Sequence, residues 1–376
     1  MDIIRIYDGI GAFFNAETDK QYTCYKVRCA DEHVPTSIKV LSDMLLHSTF
    51  KKKEVDLERN VVLEENIRAD DIPTTLIENA IYKRLYEGTP YSDPVDTISY
   101  HSTKSLSQKD IVQTYKKFYQ PNNMGISIIS NISFQSIKRM IASSAFMTPS
   151  ERVPRIQFEY IVIQSSGPHY ELVHKKGVSA TNLSISFRIC KYGHPDMYPL
   201  YLLSNILGGY MSSRLFMLLR EKWGLTYTSK CNTVHHSSYG HFEFYTMCDN
   251  KSMMKNSKNP GVLLVVLDII KDLLRRGVTQ KELSDAKGNL KGQFIISKEQ
   301  SQNKCIHNGM EYIIFDINEP NQYETLYDKY YASVTKKDID EIIRKYFVPE
   351  NMLICLVGEH LPSLGSVKKT SQYLFP

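Results

Sequence analysis

Two stretches of the chain carry the same pattern of polar and apolar positions. Residues 105–129 read SLSQKDIVQTYKKFYQPNNMGISII, and residues 333–357 read SVTKKDIDEIIRKYFVPENMLICLV. In each copy a hydroxyl residue, Ser107 or Thr335, stands three positions before an aspartate, Asp110 or Asp338. That is the spacing of a helix N-cap with a carboxylate at the positive end of the first turn. Apolar residues then recur at helical spacing as far as Phe118-Tyr119 and Tyr346-Phe347. Pro121 and Pro349 stop the helix, and the apolar run behind each predicts a strand. Cap, proline and an Asn-Met pair recur in register, which a chance similarity does not explain.

The elements upstream follow one order as well. Strand-like runs at 22–29 and 241–248 are each followed by two helical stretches, 35–46 and 54–68 in the first half, 262–275 and 280–298 in the second. Strand, helix, helix, helix, strand is therefore a duplicated α+β unit, with a mostly antiparallel sheet and packed helices. The first domain covers residues 1–150, a linker 151–159, and the second domain 160–376. The second half has additional leading elements, strands at 160–163 and 181–189 and a helix at 198–207. The offset between copies is about 228 near their ends and about 213 across the strands. By this count the first domain lacks roughly 55 to 70 residues that its sister has at the front.

Composition narrows the class. The 376 residues are 42% apolar, 23% charged and 11% aromatic, with a net charge of +5. That excludes general disorder and leaves enough apolar material for two cores. No apolar run reaches membrane-spanning length, and the first residues lack the pattern of a signal peptide. Basic residues are scattered, without an aromatic-interleaved stripe, so nucleic acid is not an expected partner. Seven cysteines without a Cys-x-x-Cys pair argue against a disulfide framework or thiolate zinc site and fit an intracellular, cytoplasmic setting.

The stretches 9–25 (GIGAFFNAETDKQYTCY), 41–50, 58–65 and 205–227 (NILGGYMSSRLFMLLREKWGLTY) resemble the M16 peptidases, the pitrilysin and insulinase-type zinc peptidases that include the mitochondrial processing peptidase. The resemblance runs along essentially the whole chain and is to the half-length type. It implies zinc held by a His-x-x-Glu-His helix and a distant glutamate, with water in the fourth position and the motif glutamate as its general base. None of the eleven histidines stands in such a motif; its place by resemblance is some twenty residues before Met1. Glu65 matches the third zinc ligand, and Glu58, two helical turns earlier, the supporting carboxylate. Both also read as residues of a solvated face or partners of Arg59 and Arg68. No cofactor is expected in the chain as it stands, zinc belonging to a partner or a longer form.

The resemblance further assigns Arg220 and Tyr227 to the substrate side. The arginine would offer charge-assisted donors to a peptide, and the tyrosine hydroxyl would donate to an oxyanion. The plain alternative pairs Arg220 with Glu221 and packs Tyr227 as a strand aromatic. Asn15 and Ala16 match a strand that binds peptide by main-chain pairing, although most sheets have an ordinary edge. His235, His236 and His241 read as exposed polar histidines rather than a metal set, and Gly208-Gly209 lacks the following residues of a phosphate loop. Three functions remain open: the non-zinc partner subunit of a heterodimeric peptidase, an active zinc endopeptidase with a start further upstream, or a non-catalytic assembly subunit. The partners expected are a peptide and a zinc-bearing M16 subunit or a second copy. A first domain short of strands exposes a sheet edge, which predicts an oligomeric or aggregating isolated chain; light scattering from a stable monomer would count against that.

Overall fold

The computed structural model describes residues 3–95, 100–149, 167–315, 317 and 323–375. The helices are α1 (Ile3–Gly9), α2 (Val34–Leu46), α3 (Lys52–Asp70), α4 (Pro73–Leu85), α5 (Tyr100–Ser105), α6 (Gln108–Phe118), α7 (Phe134–Ala142), α8 (Met197–Gly208), α9 (Val262–Arg276), α10 (Gln280–Ser297), α11 (Ser301–Gly309), α12 (Lys336–Tyr346) and α13 (Leu364–Ser371). The strands are β1 (Phe13–Thr18), β2 (Thr23–Arg28), β3 (His169–His174), β4 (Ala180–Ile189), β5 (Thr226–His235), β6 (Gly240–Asp249) and β7 (Met352–Gly358). The linker 151–159 and the strand expected at 160–163 lie outside the described residues. Among the described residues no helix is long and apolar enough to cross a membrane, and the seven cysteines are free.

The chain forms two compact units. One gathers Met1–Ile67, Val95–Gln157 and Lys298–Tyr323; the other gathers Arg68–Pro94, Phe158–Ser297 and Glu324–Pro376. Compactness thus divides the chain differently from the sequence repeat, because α4 joins the second unit and α11 the first.

The second unit is built on a five-stranded sheet ordered β3-β7-β4-β6-β5. β3 and β7 run parallel, and the remaining neighbours are antiparallel. Strand side chains alternate between faces, and here both faces are covered. Met352, Ile354 and Leu356 of β7 enter the main core with Leu183, Ile185, Phe242, Phe244 and the apolar sides of α8, α9, α10 and α12. Leu353, Cys355 and Val357 point the other way, against Ile77, Ile81 and Leu85 of α4. Every residue of β7 is buried as a result. The family-like fold expected from sequence, helices around a mostly antiparallel sheet, is what is found.

In the first unit β1 and β2 form an antiparallel pair, from Phe13 opposite Arg28 to Thr18 opposite Thr23. The strand expected after Pro121 does not form: residues 125–130 join no sheet, although the matching run after Pro349 is β7. An apolar run becomes a strand only when a neighbour completes its ladder. Here Ser127 instead donates through Oγ to the Cys305 carbonyl of α11 at 2.7 Å. The caps themselves are faithful. Thr335 Oγ1 accepts from Asp338 N–H (3.2 Å) while Asp338 Oδ2 accepts from Thr335 N–H (2.7 Å). Ser107 and Asp110 repeat the arrangement at 3.3 and 2.9 Å.

Because this reciprocal cap satisfies two helix-end donors, Thr335→Ala is expected to cost about 1 kcal/mol of stability. A urea titration should show an earlier midpoint at unchanged slope, and an unmoved midpoint would reject the account.

Candidate functional site

Arg220 lies in the segment that joins α8 to edge strand β5, and Tyr227 at the start of that strand. Gly208 ends α8 so close to β5 that an added Cβ would lie 2.2 Å from the Cys231 amide nitrogen. Arg214 then fixes the loop through Nε to Glu282 (2.6 Å) and a second nitrogen to the Gly277 carbonyl (2.9 Å). Burial would raise the Glu282 carboxyl, but the Arg214 bond and the Thr279 backbone hold it down to about 2. The turn Phe216–Lys222 is a π-helical segment, a wide geometry that recurs at functional sites. Leu215 and Leu219 anchor it in the core. Gly224, at φ +60°, reverses the chain, a conformation that other residues rarely adopt.

Tyr227 follows as the extra residue of a β-bulge, since β5 pairs Thr226 with Cys248 and Thr228 with Met247. Bulges re-aim side chains, and Tyr227 is 88% exposed. The Thr226 hydroxyl secures the bulge, accepting from Thr228 N–H at 3.1 Å and bonding the Met247 carbonyl. The Arg220 guanidinium lies over the Tyr227 ring at 5.8 Å and over the Phe216 ring at 4.9 Å. The two residues named from sequence therefore meet. Neither plain alternative holds: among the described residues Arg220 makes no ion pair, and Tyr227 does not pack inward.

Asn15 and Ala16 lie side by side in β1, all of whose residues are exposed. The Ala16 N–H donates to Asn15 Oδ1 at 2.8 Å, so a peptide pairing at that donor has this contact to displace. Glu58 and Glu65 are both exposed on α3, two turns apart. Arg59 pairs with Asp56 at 2.8 Å and donates to the Leu106 carbonyl. Among the described residues neither glutamate has an ion-pair partner.

Against known proteins, residues 1–117 match the family described as insulinase (peptidase family M16), and residues 105–290 match the peptidase M16 inactive domain. A Bacillus subtilis protein named as an uncharacterized zinc protease is 30% identical over 316 residues, covering 82% of this chain and 72% of the relative. The chain belongs to peptidase family M16. A Streptomyces coelicolor protein of similar name is 27% identical over 80% of this chain and 65% of its own length. Two solved structures share the fold. A Helicobacter pylori protease has a TM-score of 0.82 at 19% identity, covering 95% of this chain and 84% of its own. An M16 inactive domain from Pseudomonas fluorescens has 0.81 at 20%, covering 96% and 84%.

For an M16 protein, zinc is the metal to test. Among the described residues no three His, Cys, Asp or Glu side chains are grouped to hold an ion. Glu58 and Glu65 offer carboxylate without imidazole, and Arg220 and Tyr227 are not zinc ligands. The residues described do not fit a zinc site.

The histidine run requires a correction. His236 and His241 are buried, not exposed. α4 and the residue that follows it cover them with tyrosines: Tyr82 Oη bonds His236 Nε2 at 2.9 Å, and Tyr86 Oη bonds His241 Nδ1 at 2.8 Å. Sequence reading missed these pairs because their members are some 155 residues apart; the only local trace is the four-residue spacing of Tyr82 and Tyr86. Burial lowers His241 to about 3 and His235 to about 4. Both are thus neutral when folded, whereas the unfolded residues take up protons below about pH 6.5. The unfolded state binds more protons there, so stability is full above that pH and falls as pH drops toward 4. The expected loss is on the order of 1 kcal/mol per histidine per pH unit. Denaturant titrations at pH 7, 6 and 5 should show it, and His241→Gln should flatten the slope.

Proposed function

We propose that this M16 chain binds peptide substrate as the non-zinc subunit of a heterodimeric, intracellular metallopeptidase, its zinc-bearing partner supplying the hydrolytic centre. The observation that carries the reading is the pre-assembled Arg220–Tyr227 pair, set by a bulge and a π-turn, in which Arg220 has no ion-pair partner among the described residues. The match of residues 105–290 to an inactive M16 domain supports it, since that span contains the pair. In this reading Arg220 grips a peptide carbonyl or carboxylate, Tyr227 donates to the developing oxyanion, and the β1 edge at Asn15 and Ala16 aligns the peptide backbone. In this reading residues 1–150 and 160–376, joined by 151–159, are homologous domains, and the substrate is an unfolded peptide.

A second reading, a zinc endopeptidase within a longer chain, is favoured by Glu58 and Glu65 standing exposed on one helix without ion-pair partners among the described residues. In it Glu65 is the third ligand and Glu58 its support. One experiment separates the two. The chain is purified alone and with a zinc-bearing M16 subunit of the same organism, then assayed on an unfolded peptide with and without chelator. Cleavage only by the pair supports the partner role; chelator-sensitive cleavage by the chain alone replaces it with the second reading. In the active preparation Tyr227→Phe should lower kcat/KM about 100-fold, the typical cost of an oxyanion donor. Arg220→Ala should fall at least about tenfold. Unchanged turnover in both variants rejects the substrate-side assignment.

A further inference from the structure

Arg220 combines two features that ordinarily oppose each other. Its guanidinium is exposed and has no carboxylate partner among the described residues, yet its Cζ lies over two aromatic rings, Phe216 at 4.9 Å and Tyr227 at 5.8 Å. A free arginine on a surface samples many rotamers, and ordering it costs affinity when a ligand binds. Ring contacts reduce that cost, and they leave the in-plane N–H donors available because they engage the face of the cation.

The two rings differ in what fixes them. Tyr227 is almost wholly exposed, so its own position depends on the bulge backbone alone. Phe216 is half-buried and sits between Leu215 and Leu219, both fully buried in the main core. It lies four residues before Arg220 on the same turn, the spacing at which helical side chains meet. We infer that Phe216 is a positioning residue: its core-anchored ring holds the Arg220 guanidinium in the orientation that receives a peptide carbonyl or carboxylate. The inference rests on the substrate-side reading of Arg220 and adds to it the residue that sets the arginine's geometry. Phe216 itself touches no substrate.

The test uses the full chain and a rhodamine-labelled, flexible 20-residue peptide with a free C-terminus, followed by fluorescence anisotropy. Phe216→Leu keeps an apolar side chain but removes the ring, and should weaken binding roughly two- to fivefold, the range of an exposed cation–π contact. Phe216→Tyr keeps the ring and should bind as the parent does. In an Arg220→Ala background Phe216→Leu should have no further effect, which a merely structural role for Phe216 would not produce. Phe216→Met serves if the leucine variant does not fold. Parent-like binding by Phe216→Leu or Phe216→Met, or an equal loss in the Arg220→Ala background, overturns the inference alone. A parent chain that does not bind the probe, or an Arg220→Ala chain that binds normally, overturns the substrate-side reading and this inference with it.

Discussion

Burial of the five-stranded sheet on both faces is the constraint on which the second unit depends. One face is closed by helices from its own half of the sequence, the other by α4, which the sequence places in the first half. Burying Ile77, Ile81 and Leu85 on that face contributes roughly 1.5 to 3 kcal/mol each. The Tyr82–His236 and Tyr86–His241 bonds prevent the polar part of the face from costing as much again. The first unit receives a helix in return. α11 comes from the second half and meets Ser127 through Cys305, in the run that aligns in sequence with the β7 segment that α4 covers. Helices α4 and α11 thus belong to compact units that gather residues from both ends of the sequence.

This gathering explains which parts of the fold are legible in the sequence. Caps, prolines and apolar spacing are local codes, and they locate α2, α3, α6, α9, α10 and α12 to within a residue or two. Helix α4 carries its own signals, Pro73 in the first turn and apolar residues at 76, 77, 80, 81 and 85, but periodicity does not tell a helix which sheet it will cover. The histidines were misread for the same reason, since their exposure was decided by tyrosines from another part of the chain. Residues 125–130 make the converse point. Their sequence closely follows β7, yet a strand needs neighbours, and the same apolar run remains outside any sheet.

The candidate site was more legible than the core because its parts lie within twenty residues of one another. The resemblance of residues 205–227 to the M16 peptidases singled out Arg220 and Tyr227 together. What spacing did not convey is how the pair is held. Thr226, Gly224 and the π-turn each look unremarkable as single residues, and Phe216 reads as one more apolar position of a helix. Their roles depend on main-chain geometry: a bulge turns Tyr227 outward, and a widened turn sets Phe216 beside Arg220. Rigid support of this kind matters, because a binding group that must be ordered on contact gives up part of its affinity.

The two proposed binding elements also differ in what they can contribute. Pairing along β1 exchanges hydrogen bonds that are already made, to water or, at Ala16, to the Asn15 side chain. Such exchanges are worth little net free energy and are nearly independent of sequence. A guanidinium held beside two rings, without a counter-ion among the described residues, is different, because a charge-assisted bond there replaces hydration. Under the proposed substrate role, discrimination among peptides would fall to the Arg220 element rather than to strand pairing.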